Sequence, residues 1–105
     1  MVANFVPNTD IVFNNNQSSY NSATTVSGTM NGVDLGYNKK ATLPTNTLSR
    51  PGYRFLGWDT DTNAITATYA DGATLDYNDV NGSSTTSSTL TLYAIWQPKR
   101  TSPLL

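Results

Sequence analysis

The chain contains no cysteine, no histidine and no glutamate. Without cysteine there is neither a disulfide nor a thiol nucleophile. Without cysteine and histidine together the usual transition-metal ligands are missing, and so is the commonest general base. Folding must rest on side-chain packing and backbone pairing alone. All seven acidic residues are aspartates, six residues are Lys or Arg, and the formal net charge is -1. Lys39-Lys40 and Lys99-Arg100 are isolated pairs, so the chain carries no basic stripe suited to nucleic acid or to an anionic membrane. No apolar run reaches the ~18 residues that a membrane span needs. Met1-Val2-Ala3-Asn4-Phe5 lacks the basic start and apolar stretch of an export signal, and the expectation is a module held within a longer chain that carries that signal elsewhere.

What is present points to strands. Asn, Ser and Thr supply roughly a third of the 105 residues. Short polar side chains compete with helical backbone bonds, and Thr favours extended backbone. A chain of this length fits one domain, which can bury roughly 65% of its unfolded surface without covalent staples.

Residues 1–9 include Pro7 and Asn8, show no sustained period and read as a lead-in or linker. Ile11-Val12-Phe13 followed by Asn14-Asn15-Asn16 predicts a strand and then a turn. Thr24 to Met30 places Val26, Gly28 and Met30 on one side of a second predicted strand, with a bulge at Gly28 and a tight turn at Asn31-Gly32. Between Val33 and Arg50 the pattern is poor, and Pro44 and Pro51 leave room for one or two helical turns or an irregular crossover. Tyr53 to Trp58 alternates as a central strand, with Tyr53, Phe55 and Gly57 expected on one face and Arg54, Leu56 and Trp58 on the other. Asp59 to Asn63 and Asp79 to Ser84 read as loops, with Thr66 to Tyr69 as a short edge strand between them. Leu90, Leu92, Ala94 and Trp96 share one face of a last strand running from Thr89 to Gln97, and Pro98 to Leu105 reads as linker.

Two of these runs carry more than periodicity. Gly52-Tyr53-Arg54-Phe55-Leu56-Gly57-Trp58 and Leu90-Thr91-Leu92-Tyr93-Ala94-Ile95-Trp96 hold both tryptophans. Together with Asp10 to Asn16, Leu43-Pro44 and Tyr69 to Thr74, they resemble the Listeria-Bacteroides repeat, the internalin B-repeat type of module found in tandem on bacterial surface proteins. The resemblance covers roughly residues 10 to 97; Asn14-Asn15-Asn16-Gln17 lacks the glycine pair that many members carry in the first turn. It implies a strand-dominated α+β fold, a small β-grasp-like mixed sheet of four to five strands with little helix, in which the opening and closing strands lie side by side. It also implies that Gly52, Tyr53, Phe55, Gly57, Trp58, Leu92, Tyr93, Ala94 and Trp96 build the core of the motif.

Asp59-Thr60-Asp61-Thr62-Asn63 imitates the first half of a calcium loop, yet Ala64 stands at the sharp-turn glycine and Ala70 at the bidentate glutamate, which favours a solvated turn. Leu43-Pro44-Thr45 matches only the start of a sortase anchoring pentapeptide. Lys39 and Lys40 offer amines for an internal isopeptide cross-link, but neither lies in a strong strand pattern, and a reactive lysine needs a dry site. The aspartates are scattered, and no pair among them is singled out as acid and base. Asn16-Gln17-Ser18 and Asn81-Gly82-Ser83 match the glycosylation triplet, which Asn- and Ser-rich turns also generate by chance.

The expectation is therefore a non-catalytic extracellular module of a bacterial cell-surface or cell-wall protein, acting as spacer or adhesion unit. It is expected to need no cofactor or metal, to bind no nucleic acid, and to be monomeric in isolation with neighbouring repeats as its partners. The alternative is a domain that binds a glycan or host protein through Tyr20, Tyr37 and Tyr77, aromatic residues in loop-like surroundings.

Overall fold

Ile11-Val12-Phe13 forms the middle of β1 (Asn8–Asn14). The chain continues through β2 (Val33–Gly36), β3 (Lys40–Thr42), β4 (Tyr53–Asp59), β5 (Thr74–Asp76), one short helix α1 (Tyr77–Val80) and β6 (Ser88–Pro98). The computed structural model describes residues 8–17, 25–80 and 88–99. Tyr20, the first residue of the expected Thr24–Met30 strand, the 81–84 turn with its glycosylation triplet, Ser18 of the other triplet and most of both tails lie outside the described residues.

The main sheet has the order β2-β1-β6-β4. Its two central strands are the first and last of the described elements. They run parallel, from Thr9 opposite Ser88 to Asn14 opposite Tyr93, while β2 and β4 flank them in antiparallel pairing. The side-by-side opening and closing strands match the grasp-like arrangement expected. β3 and β5 form a separate two-stranded antiparallel ribbon. The structure is thus a strand-dominated α+β fold with almost no helix.

One face of the sheet carries the core. Ile11, Leu35, Leu92, Ala94 and Trp96 are buried there, covered by Val26, Leu43, Leu48, Leu75 and Tyr77. The ribbon and the irregular stretch before β4 therefore act as the lid that a single sheet needs to close one core.

Four expectations are corrected. Thr66 to Tyr69 makes no edge strand; an isolated bridge joins Tyr69 to Trp58. Residues 25–30 make no strand; a single bridge joins Ser27 to Ser49, and the stretch is held by Thr47, whose hydroxyl donates to the Thr29 carbonyl at 2.6 Å and whose N–H donates to the Met30 sulfur at 3.3 Å. Gly28 takes φ +97°, and a Cβ there would lie 2.5 Å from the Thr47 carbonyl. Its glycine thus serves close backbone approach rather than a strand bulge. The Val33–Arg50 stretch, expected as helical turns or an irregular crossover, opens with the short strands β2 and β3 and is irregular only afterwards, over 43–48. Finally, the alternation of β4 breaks: the register slips between Phe55 and Gly57, so Leu56 is an extra residue. The bulge puts Trp58 on the same face as Phe55, and moves Gly57 to the opposite face.

Candidate functional site

The motif residues converge on β4 and β6. Phe55 pairs with Trp96 and Trp58 with Ala94 across the two strands. This brings Phe55 edge-on to Trp58 at 5.0 Å and to Trp96 at 5.6 Å between ring centroids, and Phe13 of β1 closes the row at 4.6 Å from Trp58. Tilted and edge-to-face pairs of this kind each contribute about 0.5–1.5 kcal/mol beyond area burial. Trp58 and Trp96 are fully buried or nearly so, whereas Tyr53 and Phe55 are half-buried. Tyr93 lies on the other face, half-buried, with Asp59 opposite. Gly52 occupies the turn before β4, and Gly57 is the point where the Ala67–Tyr69 stretch meets the sheet.

The Asn-rich turn after β1 locks onto this row. Asn16 is 3% exposed and takes φ +55°. Its side-chain amide donates to the carbonyls of Thr62 and Ala94, both at 3.0 Å, and its side-chain oxygen accepts the Thr62 hydroxyl at 2.6 Å. The Trp96 indole N–H donates to the carbonyl of Asn15 at 2.9 Å. Asparagine tolerates the left-handed backbone that a non-glycine residue normally avoids, so it can replace glycine in this turn.

Arg50 joins the aromatic row from the other side. It is 3% exposed. Its guanidinium carbon lies 4.4 Å from the centroid of the Tyr53 ring and 5.9 Å from that of Trp96, and Nη2 donates to the Gln17 carbonyl at 3.1 Å. The stacking is a cation–π contact, strengthened by exclusion of water.

The loop after β4 uses its carboxylates locally. Asp59 accepts the Asp61 N–H at 2.9 Å, and its other oxygen accepts the Thr68 N–H at 3.1 Å and the Thr68 hydroxyl at 2.5 Å. Burial pushes the Asp59 carboxyl upward, but the hydrogen bonds from Thr68, Asp61 and Thr60 outweigh it and hold the group below the usual range. Asp61 in turn accepts the Asn63 N–H at 2.9 Å. These oxygens cap the turn, and among the described residues no three His, Cys, Asp or Glu side chains gather as metal ligands.

At the opposite edge, Asp10 and Asp34 face each other directly across β1 and β2. Asn8 donates to both, at 3.1 and 3.4 Å. The Asp34 carboxyl is pushed up, first by its hydrogen bond with the Asp10 carboxyl, then by the Asp10 charge and by burial.

Of the three tyrosines expected to display a binding surface, Tyr37 is 38% exposed, Tyr77 is fully buried, and Tyr20 lies outside the described residues. Tyr77 opens α1, donates its N–H to the Lys39 carbonyl and packs edge-on against Tyr37 at 5.3 Å. It is a core residue, because the chain turns inward directly after β5. Sequence reasoning missed Arg50, whose single cue is an arginine next to Pro51 and the aromatic run. Comparison with protein families, with curated proteins and with solved structures yields no match to the chain.

Proposed function

We propose that the chain is a non-catalytic repeat module of a bacterial cell-surface protein, of the Listeria-Bacteroides repeat type, working as a spacer or adhesion unit. The motif spelling supports the family, and the parallel pairing of β1 and β6 carries the spacer role. Because those two strands are adjacent and parallel, the chain comes in at one end of the sheet, at Asn8 beside Ser88, and leaves at the other, at Pro98. Tension along the protein then slides β1 against β6. The ladder from Thr9↔Ser88 to Asn14↔Tyr93 is loaded in shear, so its backbone bonds resist together, unlike a hairpin opened rung by rung. The Asn16 and Trp96 hydrogen bonds tie the same two strands at the far end of that ladder. Tandem copies joined in this way make a stalk in which each unit bears the full load.

Single-molecule pulling tests the reading. The chain has no native cysteine, so an Asp10→Cys/Asp34→Cys pair supplies unique handles that peel β2 from β1. Unfolding force measured end to end should exceed the peeling force several-fold. Equal forces in the two geometries would remove the mechanical basis of the proposal. Location is tested separately, by protease access to the module on intact bacterial cells. The binding alternative through loop aromatics keeps Tyr37 but loses Tyr77 to the core.

A further inference from the structure

A shallow cavity of about 370 Å³, open to solvent, lies between the Ser27–Ser49 bridge and the end of β6. Its size matches small-ligand sites, which run from about 300 to 1,000 Å³. Tyr53 and Phe55 supply half-buried aromatic surface, to which Trp96, 2% exposed, adds little; Ser49 supplies a hydroxyl, and Arg50 and Lys99 two positive charges. No aspartate stands among the described residues that line it, although aspartates outnumber basic residues in the chain. The local field is therefore positive on a protein whose net charge is -1.

The two cations differ in what the fold asks of them. Arg50 is buried, stacked on Tyr53 and donating to Gln17, so structure accounts for it. Lys99 is exposed; its backbone N–H is fixed on the Gly52 carbonyl at 2.9 Å, while its ammonium makes no hydrogen bond or ion pair among the described residues. The strand end thus anchors an exposed cation at the rim of an aromatic-lined hollow.

We propose that this cavity is a subsite for an acidic sugar, a pyranose ring bearing a carboxylate. The half-buried rings of Tyr53 and Phe55 cover the apolar C–H face of the sugar, and Ser49 meets a ring hydroxyl. Lys99 closes on the carboxylate, within the field of Arg50 below. One free cation matches a monoanion, whereas a phosphate dianion calls for more donors than the cavity offers. A neutral sugar would leave Lys99 without a role. The site goes beyond the spacer reading and does not depend on it: a single module binds weakly, and tandem copies multiply the contact by avidity.

The test is an NMR titration of the intact chain with trigalacturonic acid, with maltotriose and glucose 6-phosphate as comparison probes. Saturable shifts at the Ser49, Tyr53 and Lys99 amides and at the Trp96 indole N–H are expected, with a dissociation constant on the order of 1 mM for one subsite. Lys99→Ala should weaken binding about fivefold or more with an unchanged melting temperature, Lys99→Arg should retain it, and added salt should weaken it. The proposal is overturned by an absence of saturable shifts with trigalacturonate, by equal binding of maltotriose, by unaltered affinity in Lys99→Ala, or by a preference for glucose 6-phosphate, which would make the cavity a phosphate site.

Discussion

Asn16 donates its side-chain amide to the backbone carbonyl of Ala94 across 78 residues of sequence, at 3.0 Å and out of contact with water. The same amide reaches Thr62, so one side chain ties the first turn to the last strand and to the loop after β4. Asn16→Ala should cost about 4 kcal/mol: roughly 1 for each of the three lost side-chain hydrogen bonds and about 1 for a left-handed alanine, with further cost if the buried Ala94 carbonyl stays unpaired. Asn16→Gly removes the hydrogen bonds but fits the backbone, and should cost about 1 kcal/mol less than alanine. Urea melts of the two variants give both numbers; a loss under about 0.5 kcal/mol in Asn16→Ala would show that the turn does not bind the sheet.

The two tryptophans should respond differently to the same change. Each is buried, and Trp→Ala at either should cost about 3–5 kcal/mol. Trp→Phe separates them. The Trp96 N–H is paired with Asn15, whereas the Trp58 N–H is buried with no hydrogen-bond partner among the described residues. Trp58→Phe therefore removes a destabilising orphan donor while Trp96→Phe breaks a bond, and the second should be worse by about 1–2 kcal/mol. Chemical denaturation of the pair decides; the opposite order would mean that Trp58 holds an ordered water.

Gly57→Ala probes the bulge. The residue has φ +142°, and a Cβ there would collide with the Tyr69 carbonyl and approach the Ala67 methyl at 2.7 Å. Trp58 and Tyr69 exchange two backbone hydrogen bonds beside it, at 2.7 and 2.9 Å. The substitution should cost about 3 kcal/mol and speed amide exchange at Tyr69, because the Ala67–Tyr69 stretch must lift off the sheet. Retained Tyr69 protection with an unchanged melting temperature would show that the close approach is dispensable.

The extent to which these features were legible follows from length and locality. β1, β4 and β6 announce themselves through seven or more residues of apolar and β-branched pattern. β2, β3 and β5 have only three or four residues each, and their pairing partners lie far off in sequence, as with Lys40 opposite Asp76, so no local period betrays them. The Val26-Gly28-Met30 alternation is real in sequence, but Gly28 spends it on an approach to Thr47 instead of a ladder. The Leu56 bulge inverts the expected face of Trp58, since one inserted residue shifts every later side chain to the other side. Tyr77 resembles a loop aromatic until the chain reversal after β5 carries it inward. The cavity at Lys99 was not visible at all, because Ser49, Tyr53 and Lys99 come together only through tertiary packing.

Acid should act on two aspartates in opposite directions. The folded Asp59 carboxyl lies below its unfolded value, so its contribution is present above the unfolded pKa near 3.8 and is lost as pH falls through the lower folded value. The folded Asp34 carboxyl lies above that value. Its repulsion from Asp10 weakens the fold at neutral pH, and the penalty disappears as pH falls through the raised folded pKa and past the unfolded one. Asp34→Asn should therefore raise the melting temperature at pH 7, with a gain that shrinks toward pH 3. Asp59→Asn should lower it at pH 7, since an amide cannot accept from Thr68 and Asp61 with both atoms, and this deficit should narrow below pH 4. Thermal melts of the two variants and the parent chain at pH 7, 5 and 3 read both slopes. A destabilised Asp34→Asn at pH 7 would show that the Asn8 hydrogen bond to Asp34 outweighs the charge repulsion it bridges.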